Sequence, residues 1–120
     1  MGKLVYGDQG SFELDDRTLA HLKLAVSTKL RRGESFVLNW SIPAAQGSGR
    51  VSLWLAPSIS LQFEYTEAHT HSINRAWVEA LIASAWSHDG MTLMSEDEAL
   101  VYLAGAMPTS RTARSNGALL

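Results

Sequence analysis

Two histidines and a glutamate alternate along one short segment in a pattern that suits a metal ion. Glu67, His69 and His71 are separated by single residues, and alternate residues of an extended segment point to the same side. Imidazole and carboxylate groups are common ligands of zinc and related transition metals. The segment therefore predicts a zinc-type site, with Glu64 or His88 as a candidate fourth ligand. The simpler interpretation is a polar loop that precedes a helix.

A second group of residues is basic and could contact phosphate. Lys29, Arg31 and Arg32 lie at the end of a predicted helix, and Arg50 is expected nearby on the predicted sheet. Arginine binds phosphate through paired hydrogen bonds and through charge, so this group predicts an accessory protein that contacts nucleic acid. Cations at the C-terminal end of a helix also stabilise the helix dipole without any ligand. The sequence leaves both interpretations open.

The third candidate is a tryptophan on a polar strand face. Trp54 shares one side of a predicted strand with Ser52, and its predicted neighbours on that side are Asn39, Ser41, Gln62 and Glu64. A large aromatic side chain on a polar surface often marks a site of recognition. Trp54, Asn39, Gln62 and Glu64 therefore form the predicted binding face. The alternatives are that the N-terminal hairpin or the C-terminal helix covers Trp54, or that two copies of the chain meet there.

The residue types and motifs exclude several kinds of catalysis. The chain has no cysteine, which removes disulfides, thiol nucleophiles, iron–sulfur clusters and cysteine-based zinc sites. It also lacks the G-x-S-x-G, Walker A and H-E-x-x-H patterns. The leading hypothesis is therefore a non-catalytic binding or assembly module whose partner is another protein or a second copy. A small metal-binding protein or enzyme centred on His69 and His71 is an alternative.

Composition is typical of one globular domain. The chain has 120 residues, 46% of them hydrophobic, and a formal net charge of −2, so overall charge gives no sign of a nucleic-acid or membrane partner. No apolar run approaches the roughly 20 residues that span a bilayer, and the first residues do not resemble a secretory signal. We therefore expect a soluble, cytoplasmic protein with no membrane partner.

Hydrophobic periodicity predicts the helices that must position these residues. Apolar residues recur at helical spacing over about residues 16–32 and predict a first helix. A second helix is predicted from an N-cap at Ser72 to about Ser87. Ser95 and Glu98 form a capping box, which predicts a third, short helix.

Alternating apolar residues predict the strands and the fold class. Two short strands precede the first helix, three follow it, and one follows the second helix, which gives the order β-β-α-β-β-β-α-β. We predict a two-layer α+β domain over residues 1–106, with an antiparallel meander sheet and two helices on one face. Residues 107–120, which include Arg111 and Arg114, are predicted to be a flexible, disordered tail. The predicted buried sheet face comprises Leu38, Trp40, Leu53, Phe63 and Tyr65, and Trp40, Trp77 and Trp86 are assigned to the core.

Four segments of the chain form a recognisable pattern, namely residues 15–22, 29–36, 52–59 and 73–81. Together they resemble a family of small actinobacterial proteins of unknown function, which automatic labels often call ATP-dependent DNA ligases. The resemblance covers roughly residues 1–94, and it implies no functional residues that could be transferred to this chain.

The ligase label can be tested on the lysines. Nucleotidyl transfer by a ligase needs a lysine nucleophile in a Lys-x-Asp-Gly context. Lys3, Lys23 and Lys29 are followed by Leu-Val-Tyr, Leu-Ala-Val and Leu-Arg-Arg, so none of them fits. The sequence therefore predicts that the chain has no DNA ligase activity.

Overall fold

The computed structural model describes residues 1–42, 44–68 and 70–106, and its element order confirms the predicted α+β class. The strands are β1 (Gly2–Tyr6), β2 (Gly10–Leu14), β3 (Phe36–Ile42), β4 (Gly49–Leu55), β5 (Leu61–Glu64) and β6 (Met91–Thr92). The helices are α1 (Asp16–Arg31), α2 (Arg75–Ser84) and α3 (Glu96–Ala106). Residues 107–120, predicted as a tail, lie outside the described residues.

The described strands form two sheets of three strands, which corrects the predicted single meander. The strand orders are β2-β1-β5 and β4-β3-β6, and β6 runs parallel to β3. A turn closed by the Ile59 N–H on the Ala56 carbonyl follows β4, and β5 then pairs with β1 instead of β4. In this pairing Leu4 lies opposite Phe63. Hydrophobic periodicity indicates which face of a strand is buried, but it does not indicate which distant strand will be its neighbour.

The core lies between the helices and the apolar sides of the two sheets. On the second sheet Phe36 pairs with Leu55 and Leu38 with Leu53, and all four are buried. Two other residues of the predicted buried face, Trp40 and Phe63, are half-buried and pack against this core. Phe63 lies on β5 and therefore belongs to the first sheet, not to the sheet of Trp40. The prediction that Tyr65 lies on the buried sheet face is wrong, because Tyr65 follows the end of β5 and is partly exposed.

The second helix is shorter than predicted at both ends. Its N-cap is Asn74 instead of Ser72, because the Asn74 Oδ1 accepts the N–H groups of Ala76 and Trp77. Trp77 is buried with 3% exposure, as predicted, but Trp86 is 71% exposed and is not a core residue. The reason is that α2 ends at Ser84, so Trp86 lies beyond the helix and is not on the buried face of α2.

The first and third helices begin as the sequence predicts. The Asp15 carboxylate caps α1 by accepting the Thr18 N–H at 3.1 Å. The capping box of α3 is complete, because the Ser95 Oγ accepts the Glu98 N–H and the Glu98 carboxylate accepts the Ser95 N–H. Among the described residues, no helix is long and apolar enough to cross a membrane.

Candidate metal centre

Asp16, the first residue of α1, fixes the chain segment that follows β5. Its side chain is only 6% exposed, and its carboxylate accepts the backbone N–H of Thr66 at 3.0 Å, that of Glu67 at 3.1 Å and the Thr66 hydroxyl at 3.2 Å. Gly2 lies so close that a Cβ there would come within 2.7 Å of the Asp16 Oδ1. These contacts hold Glu67 beside the start of α1.

The hydrogen bonds to Asp16 also determine its charge. Burial raises the pKa of the Asp16 carboxyl, but the backbone hydrogen bonds from Thr66 and Glu67 and the Thr66 hydroxyl lower it, and the net pKa is below the ordinary value of 3.8. Asp16 is therefore an anion at neutral pH.

Asp16, Glu67 and His71 form a cluster of potential metal ligands, which we call the loop cluster. One carboxylate oxygen of each acid and one ring nitrogen of His71 all lie within 4.8 Å of one another. The Nε2 atom of His71 is inaccessible to solvent. Sequence reasoning predicted Glu67 and His71 but missed Asp16, and His69 lies outside the described residues. A signal for Asp16 existed in the pair Asp15-Asp16, because a helix needs only one of two neighbouring acids as its N-cap.

The predicted fourth ligands lie elsewhere. Glu64 accepts a hydrogen bond from Gln62, and His88 is an exposed residue beyond the C-terminal end of α2, where it lies 3.6 Å from Asp89. His71 precedes the N-terminal end of that helix, which has 10 residues and therefore a length of about 15 Å. The loop cluster of the described residues thus contains neither Glu64 nor His88.

The spacing of the loop cluster is compatible with a zinc site. Ligand atoms bound to one zinc ion lie about 3.4 Å apart, because each sits about 2.1 Å from the ion in tetrahedral directions. The ligand atoms here all lie within 4.8 Å of one another, so small side-chain movements suffice to reach that spacing. Glu67 is exposed and His71 half-buried, so these two side chains can supply that movement while Asp16 stays in place.

A cavity of about 270 Å³ borders the loop cluster. Its lining includes Glu67 and His71, the aliphatic side chains of Leu24 and Ile73, and the polar groups of Lys23 and Tyr65. Burial raises the pKa of the Tyr65 phenol, and the negative charge of Asp16 raises it further, so the phenol remains a hydrogen-bond donor. A small ligand in this cavity would reach both the cluster and a donor.

A second polar cluster joins the starts of the three helices, and we call it the junction cluster. At its centre is His21, which is fully buried. The His21 Nε2 accepts the Asn74 N–H at 2.8 Å, so the other ring nitrogen, Nδ1, carries the proton and donates to the Arg17 carbonyl at 2.8 Å. Burial lowers the pKa of His21, and the Arg17 charge opposes its protonation as well. His21 is therefore a neutral structural residue.

The remaining members of the junction cluster are Arg17, Asn74, Trp77 and Glu96. The Glu96 carboxylate accepts the Arg17 guanidinium at 2.8 Å and the Asn74 side-chain amide at 2.7 Å. The amide hydrogen bond lowers the pKa of Glu96 most strongly, and Arg17 lowers it further against an opposing effect of burial. Trp77 stacks on His21 with ring centroids 4.2 Å apart. Because His71 lies three residues before Asn74, this cluster also anchors the chain that carries His71.

The predicted binding face is only partly assembled. Trp54 is 54% exposed and pairs with Val37 across the sheet. The next pair on the same face is Asn39 and Ser52, whose side chains are joined by a hydrogen bond of 2.5 Å. Gln62 and Glu64 lie on β5, in the other sheet. The structure therefore brings Asn39 next to Trp54 but does not bring Gln62 or Glu64 into that sheet face.

The predicted basic group is not one patch. Lys29 is buried, and its Nζ lies 2.7 Å from the Glu34 carboxylate and 4.4 Å from the ring centre of Trp86. Arg31 and Arg32 are exposed at the end of α1. Arg50 pairs with Ser41, five residues along β3 from Phe36, or about 17 Å at the rise of a strand. Since Phe36 lies beside Lys29, Arg50 lies at the opposite end of the paired strands β3 and β4 from Lys29.

These features define a small α+β domain in which two polar clusters meet the start of the first helix. The chain belongs to the family described as a domain of unknown function, DUF7882, whose sequence pattern matches residues 1–96. The match includes all six strands, α1, α2 and the whole loop cluster, and it ends at the first residue of α3. No curated protein and no solved structure matches the chain.

Proposed function

We propose that this domain binds a divalent transition-metal ion of the zinc type through Asp16, Glu67 and His71. The observation that carries the proposal is the convergence of two carboxylates and an imidazole within 4.8 Å, from positions about 50 residues apart in the sequence. Two carboxylates at this separation repel each other, and a bound cation removes that repulsion.

The cavity beside the loop cluster supports a site with an open coordination position. Metal sites with three protein ligands leave a fourth position for water or for a ligand group. Here such a ligand would extend into the 270 Å³ cavity and meet Lys23 and Tyr65. We propose metal binding at this site and assign it no reaction.

Calorimetric titration of metal-stripped protein with zinc and with manganese tests the proposal. We expect binding of one zinc ion per chain, and a thermal stabilisation that corresponds to about 2.7 kcal/mol when zinc exceeds its Kd a hundredfold. Glu67→Gln and His71→Asn should each weaken zinc binding by about tenfold or more, because each removes one ligand. Asp16 is a poor position to vary, since it also anchors Thr66 and Glu67.

Matched control variants distinguish a specific site from scattered binding. Glu79→Gln and His88→Asn make the same chemical changes at exposed positions outside the cluster, and they should leave zinc affinity unchanged. His69→Asn tests the additional ligand predicted from the sequence. Absence of stoichiometric binding, or an equal loss of affinity in the controls, would contradict the proposal.

A second candidate function is self-association through the exposed face of β4. It is favoured by the exposure of Trp54, at 54%, next to the polar pair Asn39 and Ser52. Sedimentation velocity over a range of concentrations should show a dimer that Trp54→Ala abolishes, while Trp86→Ala, a change at another exposed tryptophan, leaves it intact. A wild-type chain that stays monomeric throughout the range would rule this candidate out.

Other expectations from the sequence stay predictions, namely that the chain lacks ligase activity, that its relatives are small actinobacterial proteins and that it is cytoplasmic. Nucleic-acid binding also stays a prediction, and the exposed Arg31 and Arg32 are the relevant residues. Binding to DNA or RNA that falls steeply with salt, and that charge reversal of both arginines abolishes, would support it.

A further inference from the structure

Two strands present, to a common groove, edge stretches that no described strand pairs. Within the described residues β2 pairs only with β1, which leaves its other edge open. On β3, only Leu38 and Asn39 pair with β6, and the Leu93 N–H donates one further hydrogen bond to the Asn39 carbonyl. Residues 40–42 of β3 therefore extend beyond the part of this edge that β6 pairs. Both open stretches line the same groove.

Strand pairing, and not the lining alone, identifies the open edge. The groove is lined by consecutive residues of β2 (Ser11 to Leu14), of β3 (Asn39 to Ile42) and of β4 (Arg50 to Ser52). The β4 residues are paired with β3, whereas β2 has an edge that no described strand pairs. Backbone groups of an open edge are free to pair with an added strand.

The groove also has an apolar wall and a negative charge. Val101, which is 73% exposed, and Tyr102 of α3 also line it, together with Trp40 of β3. The charged side chains in its lining are one basic residue, Arg50, and four acidic residues, namely Glu13, Asp15, Asp89 and Glu98. A ligand that complements this lining is extended, carries apolar side chains and is positively charged.

We infer that this groove binds an extended basic peptide segment of another protein, which pairs by its backbone with the open edge of β2. Its alternate apolar side chains contact Val101, Tyr102 and Trp40, and its lysine or arginine side chains lie near Glu13 and Asp89. Addition of a strand to a sheet edge supplies backbone hydrogen bonds for affinity, while the side chains supply selectivity. This site does not depend on the proposed metal ion, because none of the loop cluster lines the groove.

Fluorescence anisotropy with a labelled peptide of alternating valine and lysine residues tests the inference on the full chain. We expect saturable binding that is lost when the peptide is methylated on alternate backbone nitrogens, because these can no longer donate to β2. A peptide of alternating valine and glutamate should bind at least about tenfold more weakly. Equal binding of the methylated peptide, or no binding of the valine–lysine peptide, would overturn the inference.

Variants of the chain test the charge and the identity of the occupant. Glu13→Lys should weaken binding of the valine–lysine peptide by about fivefold, whereas Glu79→Lys, the same change on α2 outside the groove, should not. If Arg111→Glu with Arg114→Glu tightens peptide binding, the groove is a site for the chain's own C-terminal residues. If Glu13→Lys abolishes a dimer present without peptide, the occupant is a second copy. Either result would replace the inferred partner.

Discussion

The junction cluster and the loop cluster start from neighbouring residues, Arg17 and Asp16, yet they bring together different groups. In the junction cluster the Arg17 guanidinium faces the Glu96 carboxylate, and the buried His21 between its partners is neutral. In the loop cluster two carboxylates share their surroundings with one imidazole. The first arrangement pairs a cation with an anion, whereas the second brings two carboxylates together beside a cavity. The comparison teaches that the histidine whose two ring nitrogens both bond to backbone groups is structural here, whereas the histidine and the acids beside the cavity are the candidate ligands.

The largest expected effect comes from removing the aromatic ring of the junction cluster. Trp77 is buried, stacks on His21 and donates its indole N–H to the Met94 carbonyl at 2.9 Å. Trp77→Ala should therefore lower the free energy of unfolding by about 3–5 kcal/mol, measured by urea denaturation. Trp86→Ala is the matched control, since that exposed ring contacts Lys29, and it should cost less than about 1 kcal/mol. Similar costs for the two variants would show that the junction cluster is not a stabilising centre.

Local sequence signals predicted the helix ends that depend on local bonds. The first helix and the capping box of Ser95 and Glu98 follow from spacing and from side chains that bond to backbone within three residues. The second helix shows the limit of this reasoning, because Ser72 and Asn74 are both good N-caps. Asn74 is used, and its side-chain amide also binds Glu96, 22 residues away. That distant partner is invisible to a local pattern.

The candidate site was predictable in part for the same reason. Glu67 and His71 are close in sequence, and their spacing alone suggested a metal site. Asp16 joins them through hydrogen bonds to Thr66 and Glu67, at a sequence separation of 50 and 51 residues. The pairing of β5 with β1 brings these segments together, and strand pairing of this kind is not encoded in periodicity.

An intermediate effect is expected from acid. The folded pKa of His21 is below its ordinary value of 6.5, so the unfolded chain takes up a proton at a pH at which the folded chain does not. Stability should therefore fall as the pH drops below about 6.5, by at most about 1.4 kcal/mol per pH unit for this one group. Glu96 acts in a separate window, because its lowered pKa gives stability that is lost only at pH values below about 4.5.

Urea denaturation at a series of pH values from about 4.5 to about 6.5 isolates the contribution of His21, because Glu96 acts only below that range. His21→Gln should lower stability overall and remove the fall below about pH 6.5, while His88→Gln, a change at an exposed histidine, should keep it. A pH dependence that is unchanged in His21→Gln would mean that the buried imidazole is not the group responsible. The junction cluster would then lose its assigned role as the acid-sensitive region.

The smallest expected effect belongs to the loop cluster in the absence of metal. Glu67 is exposed and lies near the carboxylate of Asp16, so replacing its charge removes a repulsion while costing little packing. In the presence of a chelator, Glu67→Gln should leave the free energy of unfolding within about 0.5 kcal/mol of the wild-type value, with any change towards greater stability. With zinc added, the wild-type chain should become the more stable of the two. A large destabilisation of Glu67→Gln under chelation would instead make the loop cluster a second structural junction, and the contrast between the two clusters would disappear.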